Sequence, residues 1–233
     1  MCTQLEGREV VSKTLALIHT SMVFITVETM LQDIFAELMP DVRLINIVDD
    51  SLLPDVIAEG KISPAVTRRM CAYVVAAEVA GADAVLSLCS SLGPAIDVAR
   101  PLVSIPVIKI DEAMAEKVAR EAERVGVMAT VATTLGPTVS LIEGKAAAMG
   151  KGVDIRQRLV KGAFEILMGG DRHRHDAMVS AAAQELAPQV EVLVLAQASM
   201  TRLVPRLQAE TGLPILTSPR LGIEYTRRVL DEL

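Results

Sequence analysis

The sequence predicts an α/β protein built on parallel strands. Short apolar runs alternate with segments of helical periodicity along the 233 residues, a pattern typical of strand–helix–strand units. The runs are apolar throughout and not only at every second position, which favours a sheet that is covered by helices on both faces. A repeat of 108 residues further indicates that the chain contains the same unit twice.

The first half alternates strands and helices in a regular order. The strand TLALIHT (residues 14–20) precedes the helix TVETMLQDIFAEL, and VRLINIV is the second strand. Ser63 then caps a helix that carries Pro64 at its first position, where proline is favoured. That helix runs to about Ala80, ends at Gly81 and leads into the strand ADAVLSLC.

The same scheme starts again after the strand SIPVIKI. Asp111 is predicted to cap the helix DEAMAEKVAREAERV, and VGVMATVATT supplies the next strand and loop. A helix is expected from about Pro137, followed by a weak strand at VDIRQ, two further helical stretches and the strand VEVLVLA. TGLPILTS gives the last strand, and SPRLGIEYTRRVLDEL forms the closing helix.

The repeat is defined by two anchors at one spacing. Cys89 and Gln197 are 108 positions apart, as are Pro106 and Pro214. Between these anchors DAVLSLCSSL lies over EVLVLAQASM, and IPVI lies over LPIL. A period of this length indicates a duplicated domain and not a solenoid.

Composition excludes several classes of function. Aromatic residues make up 2% of the chain and the net charge is −6, which argues against nucleic-acid binding. No apolar run is long enough to span a membrane, and the polar N-terminus does not resemble a signal peptide. Cys2, Cys71 and Cys89 are too few for a disulfide framework, so we expect a cytoplasmic protein. No glycine-rich nucleotide loop is present, and His173 and His175 look like a solvated pair and not a metal site.

Polar side chains follow four of the predicted strands. In open α/β sheets ligands bind beyond the carboxyl ends of the strands, so these residues are expected to converge on one cleft. A cleft of hydroxyls, amides and one thiol suits a small carboxylate with the thiol beside its α-carbon. The residues are His19, Thr20 and Ser21; Cys89, Ser90 and Ser91; Thr130, Thr133 and Thr134; and Gln197, Ala198 and Ser199.

Four stretches make the pattern specific: LSLCSS, GVMATVATT, MGGD and VLVLAQASM. Together they resemble the aspartate/glutamate/hydantoin racemase superfamily over essentially the whole chain. The resemblance implies two flavodoxin-like domains related by pseudo-twofold symmetry, with the cleft between them. Residues 1–110 with 212–233 would form the first domain, and residues 111–211 the second. Typical members need no cofactor and use one cysteine from each half to remove and deliver a proton.

The resemblance also assigns roles to individual residues. Cys89 matches the first catalytic cysteine, and Gln197 stands where the second should be. A glutamine amide is neither a useful acid nor a useful base, so Gln197 is expected to donate a hydrogen bond to an oxyanion, or His19 to supply the second base. The predicted substrate-binding residues are Thr20, Ser90, Ser91, Thr130, Thr133, Thr134, Ala198 and Ser199.

These residues predict an enzyme that works without cofactor or metal at the carbon α to the carboxylate of a small acid. Isomerase or racemase chemistry is the leading expectation, with Cys89 as the proton-transfer residue. A single-cysteine decarboxylase, a thiol-dependent hydrolase or lyase, and a non-catalytic carboxylate-binding protein are the alternatives. The resemblance and the mean hydropathy of +0.41 also favour a homo-oligomer.

Overall fold

The fold is a pair of parallel sheets, one from each half of the chain. The computed structural model describes residues 12–22, 25 and 29–233, and therefore neither Cys2 nor the first turn of the helix predicted at 26–38. The first sheet contains β1 (Thr14–His19), β2 (Arg43–Val48), β3 (Ala84–Ser87) and β4 (Val107–Lys109). The second contains β5 (Arg124–Ala129), β6 (Asp154–Leu159), β7 (Val192–Leu195) and β8 (Ile215–Thr217).

The two sheets share one topology. Their strand orders are β2-β1-β3-β4 and β6-β5-β7-β8, and every pairing is parallel. The predicted α/β class, with two flavodoxin-like sheets related by pseudo-twofold symmetry, is confirmed. This shared topology means that corresponding residues of the two halves can be compared by position.

Ten α-helices connect the strands within the described residues. They are α1 (Met30–Leu38), α2 (Leu52–Glu59), α3 (Pro64–Val79), α4 (Gly93–Ala99), α5 (Glu112–Glu121), α6 (Ala132–Ala148), α7 (Ala163–Met168), α8 (Arg172–Leu186), α9 (Val204–Thr211) and α10 (Ser218–Asp231). Short 3₁₀ helices follow β3 at Ser90–Leu92 and β7 at Ala198–Leu203. The predicted Ser63 cap is confirmed, because the Ser63 side chain accepts a hydrogen bond from Val66 N.

Each sheet is covered by helices on both faces, as the apolar strands predict. On the first sheet, one core cluster contains residues of α2, α3 and α4, and the other contains residues of α1 and α10. On the second sheet, the corresponding clusters contain residues of α7, α8 and α9, and of α5 and α6. Burial of each leucine-sized side chain in these clusters contributes about 1.5–3 kcal/mol.

The helices that follow the last strand of each sheet are exchanged between the halves. α5 follows β4 of the first sheet but packs its Met114 and Val118 into the core of the second. α10 follows β8 of the second sheet but packs its Ile223 and Leu230 into the core of the first. The predicted domain division placed residues 212–217 with the first unit, whereas β8 pairs with β7, so the crossover falls after Thr217.

Two local expectations were wrong, and one helix was missed. α6 begins at Ala132 and contains Pro137 as an internal residue, because the polar residues after β5 start the helix before the proline. Asp111 precedes α5 but its side chain makes no capping hydrogen bond. α2 was not predicted, since its eight residues include a proline and carry only two fully buried side chains.

No helix among the described residues is long and apolar enough to cross a lipid bilayer.

Candidate active site

The carboxyl edge of the first sheet places three polar side chains in a row. Ser87 of β3 pairs with Ile18 on one side and with Lys109 on the other. Two residues further along each strand, this register places Cys89 between Thr20 and Asp111. Side chains two residues apart point to the same face, so all three follow the same side of the sheet. We call Thr20, Cys89 and Asp111 the first strand-end row.

Cys89 stands at the junction between β3 and the 3₁₀ helix Ser90–Leu92, and it is partly exposed. Its sulfur is reached by the Thr20 hydroxyl and by the backbone N–H groups of Ser91 and Leu92. Burial raises the pKa of the thiol, these hydrogen bonds oppose that shift, and the nearby Asp111 charge adds to it. Cys89 is therefore a neutral thiol at pH 7.

The second sheet has an equivalent row with different chemistry. Met128 of β5 pairs with Leu195, and Leu195 with Thr217. Two residues further, Gln197 lies between Thr130 and Pro219. We call Thr130, Gln197 and Pro219 the second strand-end row. None of its side chains titrates near neutral pH.

Gln197 is fixed by its amide oxygen. Oε1 accepts hydrogen bonds from Thr130 N at 2.6 Å, from Thr130 Oγ1 at 3.1 Å and from Val131 N at 3.1 Å. Three donors on one oxygen orient the amide so that Nε2 points away from Thr130. Within the described residues Nε2 has no hydrogen-bond partner, and Gln197 is partly exposed. The amide N–H is thus available to a ligand.

The two halves meet between the turn after Cys89 and the start of α6. Ser91 Oγ and Thr134 Oγ1 are 2.8 Å apart and buried, which joins one predicted binding residue of each half. The Thr133 hydroxyl is buried nearby on the first turn of α6, without a partner in the described part of the chain. An unpaired buried hydroxyl is costly, so Thr133 is a good candidate to bind a ligand.

The remaining predicted binding residues lie at the same edge. Ser90 is buried and its hydroxyl lies against the carboxyl of Asp111. Ala198 and Ser199 are partly exposed in the first turn after Gln197. The structure therefore brings Ser91 and Thr134, one predicted residue from each half, into contact, and it joins Gln197 to Thr130 on the second sheet.

His19 does not join this group. Side chains alternate along β1, so His19 lies on the face of α1 and α10 while Thr20 lies on the face of Cys89. The His19 ring is 2.8 Å from Asn46 Oδ1, and burial lowers the pKa of His19, opposed by that hydrogen bond. A neutral imidazole held on the opposite face is poorly placed to serve as the second base.

Asp111 lies at the candidate site, although its sequence pattern is that of a helix cap. It was interpreted as a helix cap, yet it is 2% exposed, and its Oδ1 has no partner among the described residues. Burial raises the pKa of the Asp111 carboxyl, and the hydrogen bond from Ser90 opposes that shift. The signal that could have identified it is its position two residues after β4, which matches the position of Cys89 after β3.

Asp111 and Ser90 line a groove of about 560 Å³ between α4 and α6. We call it the α4–α6 groove. Its charged side chains are paired: Lys109 Nζ lies 2.9 Å from Asp97 Oδ1, and Arg100 binds Glu112 at 2.6 Å. Lys145 lies 3.8 Å from the other oxygen of Glu112. Asp111 is the one carboxyl of this set that has no cation within salt-bridge distance.

The expectation of a solvated histidine pair was wrong for His175. This residue is fully buried in α8, and its Nδ1 is 2.8 Å from Asp176 Oδ1. Arg202 binds both oxygens of Asp176, at 2.5 and 2.6 Å, and so ties α8 to the short helix after Gln197. Within the described residues no group of three or more His, Cys, Asp or Glu side chains is arranged to hold a metal ion.

Comparison with known proteins agrees with this geometry. The model of the family described as Asp/Glu/Hydantoin racemase matches residues 24–226. No curated protein sequence gives a significant match.

Solved structures show the same fold at low sequence identity. Glutamate racemase from Francisella tularensis subsp. tularensis SCHU S4, in complex with D-glutamate, aligns with a TM-score of 0.74 and 14% identity over 95% of this chain and 81% of that one. Allantoin racemase from Klebsiella pneumoniae gives 0.66 and 17% over 95% and 89%. Unliganded arylmalonate decarboxylase gives 0.57 and 16% over 94% and 93%.

Proposed function

The chain belongs to the Asp/Glu/hydantoin racemase family, and from that premise we propose that it is a cofactor-independent enzyme acting at the carbon α to the carboxylate of a small acid. Cys89 is the residue that transfers the proton. The observation that carries this proposal is the position of Cys89: a partly exposed thiol at a strand end, beside the Thr20 hydroxyl and two residues before Ser91, which contacts Thr134 of the other half. Structures with this fold include racemases and a decarboxylase.

The substrate carboxylate is held by hydroxyl groups at the junction of the halves. Thr133 offers a buried hydroxyl without a partner in the described part of the chain, and Ser91 and Thr134 exchange their mutual hydrogen bond for bonds to the ligand. Hydroxyl donors suit a carboxylate, since each oxygen accepts two or more hydrogen bonds. Gln197 Nε2 donates to the oxygen on which charge develops as the α-carbon becomes an enediolate, an interaction worth a few kcal/mol when preorganised.

Proton transfer takes place on one face of the substrate. Cys89 has no titratable counterpart in the second strand-end row, where Gln197 takes the equivalent position. Cys89 therefore removes the α-proton as the thiolate and returns a proton as the thiol. We expect exchange of the α-hydrogen with retention of configuration, with isomerisation where the planar intermediate turns over before it is reprotonated.

One observation favours decarboxylation as a second candidate. Burial raises the pKa of Cys89, so the group is a thiol at neutral pH and acts more readily as a proton donor than as a base. Loss of CO₂ from a malonate creates the enediolate without a base, and the thiol then protonates it. Covalent attack on a carbonyl requires the thiolate, so the raised pKa argues against the hydrolase alternative.

The first experiment is proton NMR in deuterated water with a panel of small chiral carboxylic, hydroxy and malonic acids. Wild-type protein is compared with Cys89→Ser and with Cys71→Ser, which removes a partly buried thiol from α3. Deuterium at an α-position, or CO₂ loss with deuteration, that disappears in Cys89→Ser and persists in Cys71→Ser supports the proposal. Binding of an acid without exchange or CO₂ release would replace it with a carboxylate-binding role.

A further inference from the structure

We propose that a second copy of this chain packs against the outer face of α3 and α4, with α3 antiparallel to its counterpart, so that the protein forms a twofold symmetric dimer. The face consists of the exposed sides of α3 and of the helical stretch 93–102, in which a 3₁₀ turn continues α4. We call it the α3–α4 face. Such a dimer does not depend on which reaction takes place in the cleft.

Large apolar side chains are concentrated on the α3–α4 face. Four of the ten that are exposed in the described part of the chain lie here: Val75, Val79, Val98 and Leu102. Val79 is 82% exposed, the highest value of the ten, and Val98 and Leu102 are each 54% exposed. Single exposed apolar residues are ordinary, whereas a contiguous group marks an interaction surface.

The two helices hold these side chains next to each other. α3 and α4 contribute to one core cluster, so they pack side by side. The Glu78 carboxylate accepts hydrogen bonds from Ser104 N at 2.7 Å and from Ser104 Oγ at 2.6 Å, which fixes the end of α3 beside the end of the stretch 93–102. Val98 and Leu102 are one helical turn apart, as are the two exposed valines of α3, so the four side chains form a continuous strip.

α3 is apolar on its exposed side as well as on its buried side. Met70 and Val74 face the core, and Glu78 is the one charged residue between positions 70 and 80. The exposed residues of the last two turns are Ala72, Val75, Ala76 and Val79. A helix that is apolar all round is typical of one that is covered on all sides. We therefore expect the outer side of α3 to be covered in the assembled protein.

The counterpart of α4 in the second half is charged at the same positions. At the spacing of 108 residues Val98 corresponds to Arg206 and Leu102 to Glu210, both on α9. All four residues are exposed, and Arg206 Nε lies 2.7 Å from Glu210 Oε1. The shared backbone frame therefore tolerates charges here, and the fold itself does not require the apolar residues of α4.

The counterpart of α3 shows the same difference. α8 covers the second sheet as α3 covers the first. On α8 the two exposed residues after the buried Ala183 are Gln184 and Glu185, whereas on α3 the two exposed residues after the buried Val74 are a valine and an alanine. One half thus presents polar residues to water, and the other presents apolar residues that a partner can cover.

The charges on α3 match those of a copy that is turned by a twofold axis. Arg68 is exposed and has no ion-pair partner in the described part of the chain, and Glu78 lies ten residues further along the same helix. Ten helical residues span about 15 Å, with Tyr73 at the midpoint. An antiparallel copy of α3 that crosses at Tyr73 brings Arg68 opposite Glu78 of the partner subunit, and symmetry repeats the pair. The same chain therefore supplies a complementary surface.

The dimensions of the face suit a dimer that dissociates measurably. The 16 residues of α3 are about 24 Å long, the stretch 93–102 adds about 15 Å, and each helix is about 10 Å wide. The flat footprint is about 400 Å² on each copy, and the accessible surface exceeds it because side chains protrude. Weak specific complexes bury up to about 600 Å² on each partner, so we expect an equilibrium between monomer and dimer.

Sedimentation of the full chain tests this dimer. We expect the mass of wild-type protein to rise from the monomer value of 24.9 kDa toward twice that value as the concentration increases from about 1 to about 200 µM. The double variant Val98→Arg with Leu102→Glu copies the charge pair of α9 onto α4. It should raise the dissociation constant at least about tenfold, because association would desolvate the new charges. Val79→Lys provides a second test if the double variant does not fold.

Two further variants make the result decisive. Met168→Lys changes a residue of α7 that is 63% exposed in the other half, and it should keep the wild-type dissociation constant within about twofold. Arg68→Glu sets acidic residues opposite each other and should weaken the dimer, more at low salt than at high salt. A wild-type chain that stays monomeric, or association that is unchanged in Val98→Arg with Leu102→Glu, overturns the proposal and would assign the face to another protein. Equal weakening by Met168→Lys also overturns it, and an unchanged dissociation constant in Arg68→Glu refutes the antiparallel arrangement.

Discussion

The two halves share a backbone frame but differ in chemistry at the same three positions. In the first strand-end row Thr20, Cys89 and Asp111 provide a hydroxyl, a thiol and a carboxyl, whereas the second row, defined above, provides a hydroxyl, an amide and a proline ring. Ionisable groups are therefore confined to one row. The difference teaches that an identical strand-end scaffold can supply acid–base chemistry in one copy and fixed hydrogen-bond geometry in the other.

The amide suits the second row for a physical reason. Two backbone N–H groups and one hydroxyl converge on Gln197 Oε1, and an amide oxygen satisfies them without adding a charge. A thiol is a weak acceptor, and satisfies such donors poorly. Gln197 thus stabilises the turn after β5 while its Nε2 remains available.

The largest expected effect is the loss of enzymatic activity on substitution of Cys89, compared with that on substitution of Gln197. Cys89→Ala should lower α-exchange or decarboxylation by about 10³-fold, because no described neighbour replaces the thiol as proton donor. Gln197→Ala should cost about 10²-fold, since it removes one donor to the developing oxyanion. NMR rates on the same substrate measure both. Equal losses would mean that the two rows do not differ in role.

A thiol introduced into the second strand-end row should give both rows a proton-transfer group. Gln197→Cys places proton-transfer groups at both equivalent positions, so exchange should change from retention of configuration to racemisation. Chiral chromatography of the deuterated acid measures the change. Gln197→Ser, which offers no thiol, serves as the control and should continue to give retention. Racemisation by the wild-type protein as fast as that by Gln197→Cys would contradict one-sided transfer.

Two helical glycines, one in the exchanged helix α10 and one in α6, provide a comparison of stability. A Cβ on Gly222 of α10 would lie 2.1 Å from the carbonyl oxygen of Ile110, so Gly222→Ala should lower the free energy of unfolding by about 1–3 kcal/mol. A Cβ on Gly136 of α6 meets nothing within 4 Å, and Gly136→Ala should raise that free energy by about 0.5–1 kcal/mol. Urea unfolding measures both. A Gly222→Ala variant as stable as wild-type protein would argue against a close approach at Gly222.

The smallest expected effect concerns the salt bridge that anchors the short helix after Gln197. Arg202 in this helix binds Asp176. The residue 108 positions earlier is Pro94, whose side chain carries no charge and cannot form a salt bridge. Burial raises the pKa of Asp176, but the hydrogen bonds from Arg202 and His175 outweigh it and lower the pKa overall. The carboxylate therefore stabilises the fold above its unfolded pKa near 3.8, and this contribution is lost as pH falls through the lower folded value. Asp176→Asn should cost about 1 kcal/mol at pH 7.

That difference should shrink as the pH falls below 3.8, because the wild-type carboxylate then becomes protonated as well. Paired thermal unfolding curves of wild-type protein and Asp176→Asn at pH 7 and at pH 3 measure the change. A gap that stays constant across this range would show that the Asp176 charge contributes nothing.

Alternating apolar and helical segments predicted the α/β class, the repeat predicted a duplicated unit, and the family resemblance implied the two-domain arrangement. The 108-residue separation of Cys89 and Gln197 identified corresponding strand ends, because a duplicated sheet must place them at equivalent positions. The uninterrupted apolar runs predicted strands that are buried on both faces, and helices cover both faces of each sheet. Ser91 and Thr134 were expected at the cleft and lie 2.8 Å apart.

What the sequence could not reveal depends on side-chain direction and long-range pairing. Asp111 before a helix has the pattern of a cap, and only the register of β3 with β4 shows that it lies beside Cys89. His19 and Thr20 are adjacent in sequence, yet alternation along β1 sends them to opposite faces. His175 lies among charged residues, but helical periodicity turns it inward.

The exchange of α5 and α10 sets an order for folding during synthesis. The second sheet and the helices that cover it come from one uninterrupted segment, from α5 to β8, so this unit is complete once residue 217 has emerged from the ribosome. The first sheet is translated earlier, but α1 alone covers one of its faces until α10 follows. The half that carries the thiol is therefore the last to close, although domains usually complete from the N-terminus onward.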